Sequence, residues 1–215
     1  MKKENRKDLI VSSCFLAAFL LWTILISYVD VQPIGPQNSA VGLAAFNGFV
    51  RRLIGVHMDF YVLTDWLSLI PVFLAAGFGL LGLIQWIQRR SIFRVDFDIL
   101  LLGIFYAVVA ALFLFFETCV INYRPVLIDG ILEASYPSST TLLVLCVMPT
   151  AQLQFRRRIS RPTLRKCITF LIVGFTAFMV IGRLFSGVHW ITDIIGGMLL
   201  SCGLVKLYRA VIGQA

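Results

Sequence analysis

An arginine, a histidine and an aspartate stand close together near the C-terminus, in a stretch that is otherwise apolar. His189 and Asp193 are four residues apart, a spacing that on a helix would place them on one face within hydrogen-bonding reach. Arg183 precedes His189 by six residues, across a Ser-Gly pair that lets the chain turn. An imidazole oriented by a carboxylate is a nucleophile, and a guanidinium beside it can hold an anion. The segment therefore predicts attack on an anionic substrate.

Each of these three residues also has a purely structural interpretation. Arg183 could snorkel toward a lipid headgroup, His189 could lie at the membrane interface, and Asp193 could cap a helix. Ionisable groups in membrane-spanning segments are more often functional than incidental. We therefore favour a functional site at this segment.

Two other segments supply groups that bind anions. Arg124 belongs to a polar stretch and is followed by a proline. Ser138 and Ser139 follow another proline at the predicted start of a helix, where backbone N–H groups are free. Two guanidiniums, hydroxyls and a helix N-terminus would together bind a tetrahedral oxyanion such as phosphate. With Arg183, these residues are the predicted phosphate ligands, and His189 could attack the phosphorus.

The elements that must position these groups are membrane-spanning helices. The chain of 215 residues is 59% hydrophobic and 14% charged, with a mean hydropathy of +0.90, which is more apolar than a water-soluble domain of this size should be. Apolar runs of about 17–25 residues span a bilayer as a helix. The sequence predicts an all-α polytopic membrane protein that forms one domain over residues 1–215. Its six predicted spans are about 9–29, 63–88, 98–121, 137–155, 167–184 and 189–211.

The distribution of positive charge predicts the orientation of these spans. If residues 1–8 are cytoplasmic and each span crosses once, 15 of the 19 Lys and Arg residues fall on the inner side, as the positive-inside rule requires. We therefore expect both termini in the cytoplasm, a plasma (cytoplasmic) membrane location, and all three candidate segments at the outer face. The net charge of +8 is explained by topology, so no nucleic-acid partner is expected. The outward-facing basic residues are Arg51, Arg52, Arg124 and Arg183.

The longest predicted loop, residues 30–64, lies on the outer side. Leu43, Phe46, Val50 and Leu53 recur in it at spacings of three and four residues, which predicts a short amphipathic helix. Such a helix would lie on the membrane surface or on the mouth of the helix bundle.

Three further features limit the chemistry. Residues 9–29 are expected to stay as a first helix, because the run is long for a signal peptide and no A-x-A-like site follows. The five cysteines include no CxxC pair and are expected as free thiols. No His, Cys and carboxylate cluster has metal-ligand spacing, so neither a metal nor another cofactor is expected.

The three segments together resemble the type 2 phosphatidic acid phosphatase family of membrane lipid phosphatases, whose phosphate pocket is shared with vanadium haloperoxidases. The third motif of that family is Ser-Arg, five residues, His, three residues and Asp. It is matched from Arg183 through His189 to Asp193, with Gly182 in place of the serine. The first motif has a lysine seven residues before Arg-Pro, and the second is Pro-Ser-Gly-His; both are matched in part.

The resemblance implies a mechanism as well as a fold. It implies a six-helix bundle with a phosphatase/haloperoxidase-like core, in which His189 forms a phosphohistidine and Asp193 orients it. Arg124 and Arg183 would bind the phosphate, with Ser138 as a further ligand beside backbone amides. The implied partners are a lipid phosphate or diphosphate and the surrounding membrane lipids; an oligomeric state is not implied.

Two positions depart from the family's motifs. Glu117 stands where the family has its lysine, seven residues before Arg124, and Thr140 stands where it has the histidine that protonates the leaving oxygen. Threonine cannot act as that acid, and loss of general acid catalysis costs about 10²–10⁴ in rate. An ionised Glu117 would repel a phosphate dianion unless it pairs with Arg124 or Arg183 or is held protonated by desolvation.

Three hypotheses follow from these departures. The protein could hydrolyse a polyprenyl diphosphate such as undecaprenyl diphosphate, whose leaving group hardly needs a proton. It could hydrolyse lipid monoesters with a protonated Glu117 as the acid, or it could bind lipid phosphates with impaired turnover. The retained nucleophile and arginines favour activity. A channel or transporter subunit is a weaker alternative, because the polar groups cluster at one mouth of the bundle.

Overall fold

The structure is a computed structural model that describes residues 3–213. Within this range the chain is all-helical, with no β-strand, which confirms the predicted all-α class. The predicted domain and its cytoplasmic termini also include residues 1, 2, 214 and 215, which lie outside the described residues. The eight α-helices are α1 (Lys3–Tyr28), α2 (Ala44–Ile54), α3 (Met58–Leu67), α4 (Leu69–Arg89), α5 (Phe97–Thr118), α6 (Ser139–Arg158), α7 (Pro162–Ser186) and α8 (Ile191–Ile212).

Five helical segments of the described chain are long and apolar enough to cross a membrane. They are α1, α5, α7, α8 and the continuous stretch Met58–Arg89, in which α3 leads directly into α4. The remaining predicted span, residues 137–155, corresponds to α6, which is not among the five. Half of its residues are buried, including several threonines, so α6 presents little surface that would need to be apolar toward lipid.

The core of the bundle is built around α6 and α8. The first helix packs along α8, α6 packs against both α7 and α8, and α4 packs against α5 and α6. Phe19, Phe105, Leu142 and Leu200 contribute to one apolar cluster from four of these helices. A Cβ atom at Gly203 would lie 2.7 Å from the side chain of Leu16, so glycine permits the close approach of α1 and α8.

The loop that follows α1 carries the predicted amphipathic helix, α2, and holds it over the start of α8. Asn47 is buried, donates from Nδ2 to Thr192 Oγ1 at 3.0 Å, and so joins the polar face of α2 to α8. The opposite face of α2 is exposed and apolar, which is the arrangement expected of a helix that contacts lipid headgroups. Its exposed side chains include Phe46, Phe49 and Leu53.

Candidate active site

His189 lies in the short connection between α7 and α8, and not inside a helix as its spacing from Asp193 predicted. The preceding helix ends at Ser186, Gly187 reverses the chain, and α8 begins only at Ile191. Gly187 has a positive φ of 67°, and a Cβ atom there would fall 2.2 Å from a backbone oxygen of Gly55. Only glycine fits this turn, which delivers the imidazole to the bundle interior.

The carboxylate of Asp193 reaches His189 through a third residue, Ser135. The hydroxyl of Ser135 donates to Asp193 Oδ2 at 2.5 Å and lies 2.9 Å from His189 Nδ1. Since that hydroxyl gives its proton to the carboxylate, Nδ1 must carry its own proton and donate to Ser135 Oγ. The direct hydrogen bond predicted from the sequence is therefore replaced by a bridged one.

The other imidazole nitrogen is left available. His189 is only 4% exposed, and its Nε2 atom is buried without a hydrogen-bond partner within residues 3–213. With the proton on Nδ1, the free lone pair is on Nε2. An unpartnered, unprotonated ring nitrogen is the form that a nucleophile requires.

Asp193 is held by three donors. Ser135 Oγ and the backbone N–H of Trp190, at 2.9 Å, both donate to Oδ2, while Asn122 Nδ2 donates to Oδ1 at 3.2 Å. The bond from Trp190 is a helix cap, so the structural and the orienting interpretations of this aspartate both apply. A carboxylate fixed in this way cannot rotate away from Ser135.

Burial and positive charge keep the imidazole neutral. Removal from water lowers the pKa of His189 well below the ordinary value of 6.5, and the charges of Arg124 and Arg183 lower it further. A hydrogen bond to the backbone of Ser135 acts in the opposite direction. A protonated ring would have to be buried beside two guanidiniums, which is why the neutral form prevails.

Arg183 is held against α3. It is 1% exposed, donates from Nη1 to Thr64 Oγ1 at 3.3 Å, and lies over the ring of Tyr61 with 5.0 Å from Cζ to the ring centroid. Its Nη2 atom is 3.8 Å from Asp65 Oδ1. Gly182, where the family has serine, leaves room for this contact, since a Cβ atom there would fall 2.8 Å from Thr64 Cγ2.

Arg124 is the second buried guanidinium, at 8% exposure. Its Nε atom lies 3.1 Å from Glu133 Oε2, an ion pair that lacks the alignment of a hydrogen bond, and its Nη1 atom is buried without a partner. Glu133 therefore occupies the partner position that Glu117 was considered for. Glu117 is exposed and, in the described part of the chain, forms no ion pair with either arginine.

The start of α6 presents hydroxyls toward the same region. Ser138 is its N-terminal cap residue and is fully buried: its backbone N–H donates to the carbonyl oxygen of Asp193 at 3.1 Å, and its hydroxyl accepts from Thr141 at 3.0 Å. Ser139 and Thr140 line a cavity together with both arginines. The structure thus brings Ser139 to the cavity and ties Ser138 to the helix that carries Asp193.

That cavity has a charged end and an apolar end. Its volume is about 440 Å³, and Arg124, Arg183 and Asp65 line it beside the hydroxyls of α6. His189 does not line it, and instead borders a narrow cleft beneath α2. Within residues 3–213 no group of three or more His, Cys, Asp and Glu side chains could hold a metal ion. The apolar end includes Val72, Ala75, Val109, Phe113, Leu143 and Val147, from α4, α5 and α6.

Sequence reasoning missed the residues that support the predicted ones. Ser135 and Asn122 stand in a loop without periodic pattern, and Thr64 and Asp65 belong to α3, which the sequence places partly in a loop and partly in a span. The one available signal was charge: Glu133 is an acidic residue in the same predicted loop as Arg124 and close to it in sequence. Tertiary packing alone joins α3 to the end of α7.

Comparison with known proteins adds two findings. Residues 115–214 match the model of the PAP2 superfamily, and this range includes all the sequence-predicted site residues. The fold is similar to a solved structure described as the first transmembrane PAP2 type phosphatidylglycerolphosphate phosphatase from Bacillus subtilis, with a TM-score of 0.64. The two chains are 16% identical over 95% of this chain and 96% of that one, so the similarity establishes the fold. No curated protein matches the sequence.

Proposed function

Residues 115–214 place the chain in the PAP2 superfamily, and from this premise we propose that the protein is an integral-membrane lipid phosphatase acting at the outer membrane face. One observation carries the proposal. A neutral histidine with a free, buried Nε2 atom stands beside two buried guanidiniums, which retain unpartnered N–H groups and face a cavity with an apolar end. A nucleophile, an anion site and an adjoining apolar cavity are what hydrolysis of a lipid phosphate requires.

The first chemical step is attack of His189 Nε2 on the terminal phosphorus. A nitrogen–phosphorus bond forms, the bond from phosphorus to the leaving oxygen breaks, and its electron pair stays on that oxygen. The imidazole becomes a phosphohistidine with a positive ring, which the carboxylate of Asp193 stabilises. Arg124 and Arg183 hold the charged oxygens of the transferring group.

Water completes the cycle. It attacks the phosphorus of the phosphohistidine, the nitrogen–phosphorus bond breaks, and the electron pair returns to Nε2. Inorganic phosphate leaves as the monoanion with both hydrogens of the water, so His189 regains its neutral form without an external base. In this proposal Arg124 and Arg183 balance the negative charge of the phosphate oxygens, and Asp193 balances the positive charge of the ring.

The leaving group is the point at which the substrate class is decided. Thr140 lines the cavity where the family has its proton-donating histidine, and threonine cannot take that role. Glu117 is exposed and does not line the cavity that Thr140 and both arginines line, which weighs against its acting as the acid. A phosphoanhydride releases a phosphate monoester that is stable without a proton. We therefore favour a polyprenyl diphosphate over a simple lipid monoester.

The proposed membrane orientation is the one predicted from the distribution of Lys and Arg in the sequence. Six spans, with α6 as the fourth, place the candidate site at the outer ends of the helices and both termini in the cytoplasm. The apolar face of α2 then rests at the outer interface. Substrate would enter sideways from the lipid, because the apolar end of the cavity is formed by α4, α5 and α6 within the span region.

Phosphate release from purified protein in detergent tests the proposal. The panel should include a polyprenyl diphosphate, a polyprenyl monophosphate and phosphatidic acid, each with wild type and His189→Ala. We expect release from the diphosphate that His189→Ala abolishes. His57→Ala is the matched control, because His57 is the second histidine of the chain and is exposed at the start of α3. Binding of orthovanadate without any release would identify a lipid-phosphate-binding protein.

A further inference from the structure

We propose that Ser135 is a positioning residue that couples Asp193 to His189 and selects the nucleophilic tautomer. This inference rests on the proposed function for its kinetic consequences, but its structural content stands separately. His189 Nδ1 and Asp193 Oδ2 both contact the hydroxyl of Ser135. Ser135 lies outside the segment from Arg183 to Asp193 that matches the family motif.

The position of Ser135 is fixed from several directions. Its side chain is buried, and its backbone N–H donates to the carbonyl oxygen of Asn122 at 2.9 Å. The next residue, Tyr136, is also buried and is hydrogen-bonded through its hydroxyl to Thr23 of α1 at 2.7 Å. A serine held at its own backbone and at its neighbour cannot follow the imidazole if the ring turns, so it sets the ring orientation.

The direction of the hydrogen bonds follows from the donors available. The carboxylate of Asp193 can only accept hydrogen bonds, so the hydroxyl of Ser135 donates its one hydrogen to Oδ2. The remaining lone pairs of Oγ then accept from His189 Nδ1. Nδ1 keeps its proton throughout the reaction, and Nε2 is the nitrogen that forms and breaks the bond to phosphorus. When the ring becomes positive, its charge is stabilised through the polarised hydroxyl.

Removal of the hydroxyl should separate orientation from folding. In Ser135→Ala, Nδ1–H has no acceptor and both tautomers become accessible. We expect kcat to fall by roughly 10- to 100-fold, the effect of one hydrogen bond to a group that becomes charged, with KM nearly unchanged because the phosphate ligands remain. Ser135→Thr keeps the hydroxyl and should recover most of the activity. Ser201→Ala is the matched control, since Ser201 is a buried serine whose hydroxyl donates to backbone oxygens of Gly197 and Leu142.

Nitrogen NMR tests the inference without relying on turnover. The chain has two histidines, so a His57→Gln background leaves His189 as the single imidazole. We expect 15N shifts of a ring protonated at Nδ1 in this background and in Ser135→Thr, and a mixture of tautomers in Ser135→Ala. An unchanged tautomer together with unchanged kcat in Ser135→Ala would overturn the inference. A wild type that releases no phosphate but shows the tautomer change would refute the proposed function alone.

The pH dependence gives a third readout. The charged groups around His189 are Arg183 on α7, Arg124 in the loop before α6, Arg51 on α2 and Asp193 on α8. Ser135→Ala leaves all four unchanged and removes a hydroxyl oxygen that accepts from Nδ1–H, a contact that favours the charged ring. The acid limb of kcat/KM should therefore move to lower pH, whereas a merely structural defect would lower the rate at every pH equally.

We also infer a binding site for an anionic phospholipid at the opposite end of the bundle, from an independent observation. Arg156 of α6 and Arg165 and Lys166 of α7 line a groove of about 630 Å³ that continues along α7 onto Phe170 and Val173. All three basic side chains are exposed, and none belongs to an ion pair within residues 3–213. Cations at the mouth and exposed apolar groups below them fit a phosphate headgroup with its acyl chain.

The neighbouring arginines show that this groove is distinct from the general basic surface. Arg158 is paired with Asp98 of α5 at 2.9 Å, and Arg157 donates to the carbonyl oxygen of Ile212 at 3.2 Å. These two residues tie α6 to α5 and α8, whereas the side chains of the three groove residues form no ion pair or hydrogen bond within residues 3–213. A phospholipid headgroup would provide their missing counter-charge.

Native mass spectrometry in detergent with added phosphatidylglycerol tests this site. Arg165→Gln/Lys166→Gln removes two groove cations, and Arg90→Gln/Arg94→Gln removes the same charge from another inner loop. We expect retained phosphatidylglycerol to drop at least fivefold in the first variant and to stay at the wild-type level in the second. Equal losses in both variants, or equal retention of phosphatidylcholine, would show a non-specific charge effect and overturn the inference.

Discussion

Replacing Asp65 with asparagine is expected to tighten the binding of inorganic phosphate. In the structure Asp65 Oδ1 lies 3.8 Å from Arg183 Nη2, and Asp65 lines the cavity where the phosphate would bind. An incoming phosphate must compete with this carboxylate for the guanidinium and is repelled by it. Asparagine removes the charge and keeps the size of the side chain, while Thr64 and Tyr61 still hold Arg183 in place.

The separation of the two charges sets the size of the effect. At 3.8 Å, unit charges attract by about 1 kcal/mol when bulk water screens them and by about 4 kcal/mol at an effective dielectric constant of 20. The side chain of Asp65 is 59% exposed, so the lower value applies, as it does for most solvent-exposed ion pairs. A change of about 1 kcal/mol is about fivefold in Kd.

Isothermal titration calorimetry with orthovanadate and with inorganic phosphate measures this change without depending on turnover. The matched control is Asp59→Asn, which removes a charge from the same helix at an exposed position that does not line the cavity. We expect the Kd of both anions to fall about fivefold in Asp65→Asn and to stay unchanged in Asp59→Asn. Weaker binding in Asp65→Asn would refute the reasoning, since Asp65 would then support Arg183 and not compete for it.

Three further predictions concern the nucleophile, the leaving group and the packing. Because the pKa of His189 lies well below 6.5, the acid limb of the kcat/KM profile should lie below pH 6.5. Arg124→Gln removes a cation that lowers this pKa, so it should shift the acid limb to higher pH. An acid limb above pH 6.5 in the wild type would contradict this prediction. Thr140→His should raise monoester turnover by about 10²-fold or more and diphosphate turnover far less; equal gains would remove the leaving-group argument. Gly182→Ser should lower the unfolding temperature in detergent, and adding Thr64→Ser, which deletes the clashing methyl group, should restore most of it.

Much of the fold could be predicted because a membrane helix is recognisable from a local run of apolar residues. Runs of apolar residues identified α1, α5, α7 and α8, and three- and four-residue spacing identified α2. The superfamily match over residues 115–214 supports the family resemblance, whereas the roles of Arg183, His189 and Asp193 stay predictions. The periodicity of hydrophobic residues could not predict the turn at Gly187. The positive φ of this glycine ends α7 just before His189 and keeps the histidine out of α8.

The supporting residues escaped prediction for a physical reason. Asp65 and Thr64 reach Arg183 across more than a hundred residues of sequence, through the packing of α3 on α7. Ser135 is one serine in a loop, and only its position between an imidazole and a carboxylate gives it significance. Spacing rules relate residues within one element, whereas these contacts join side chains from different elements.

The departures from the family motifs become coherent when the charges around the cavity are considered together. The motif lysine is absent, and each remaining guanidinium is near a carboxylate: Arg124 beside Glu133 and Arg183 beside Asp65. With two positive and two negative groups, the resting site is close to neutral, so a single phosphate group gains less than a diphosphate by displacing both carboxylates. A diphosphate brings more negative charge to both arginines and also carries a leaving group that needs no acid. The missing lysine and the missing histidine therefore argue for the same substrate class, from binding and from chemistry separately.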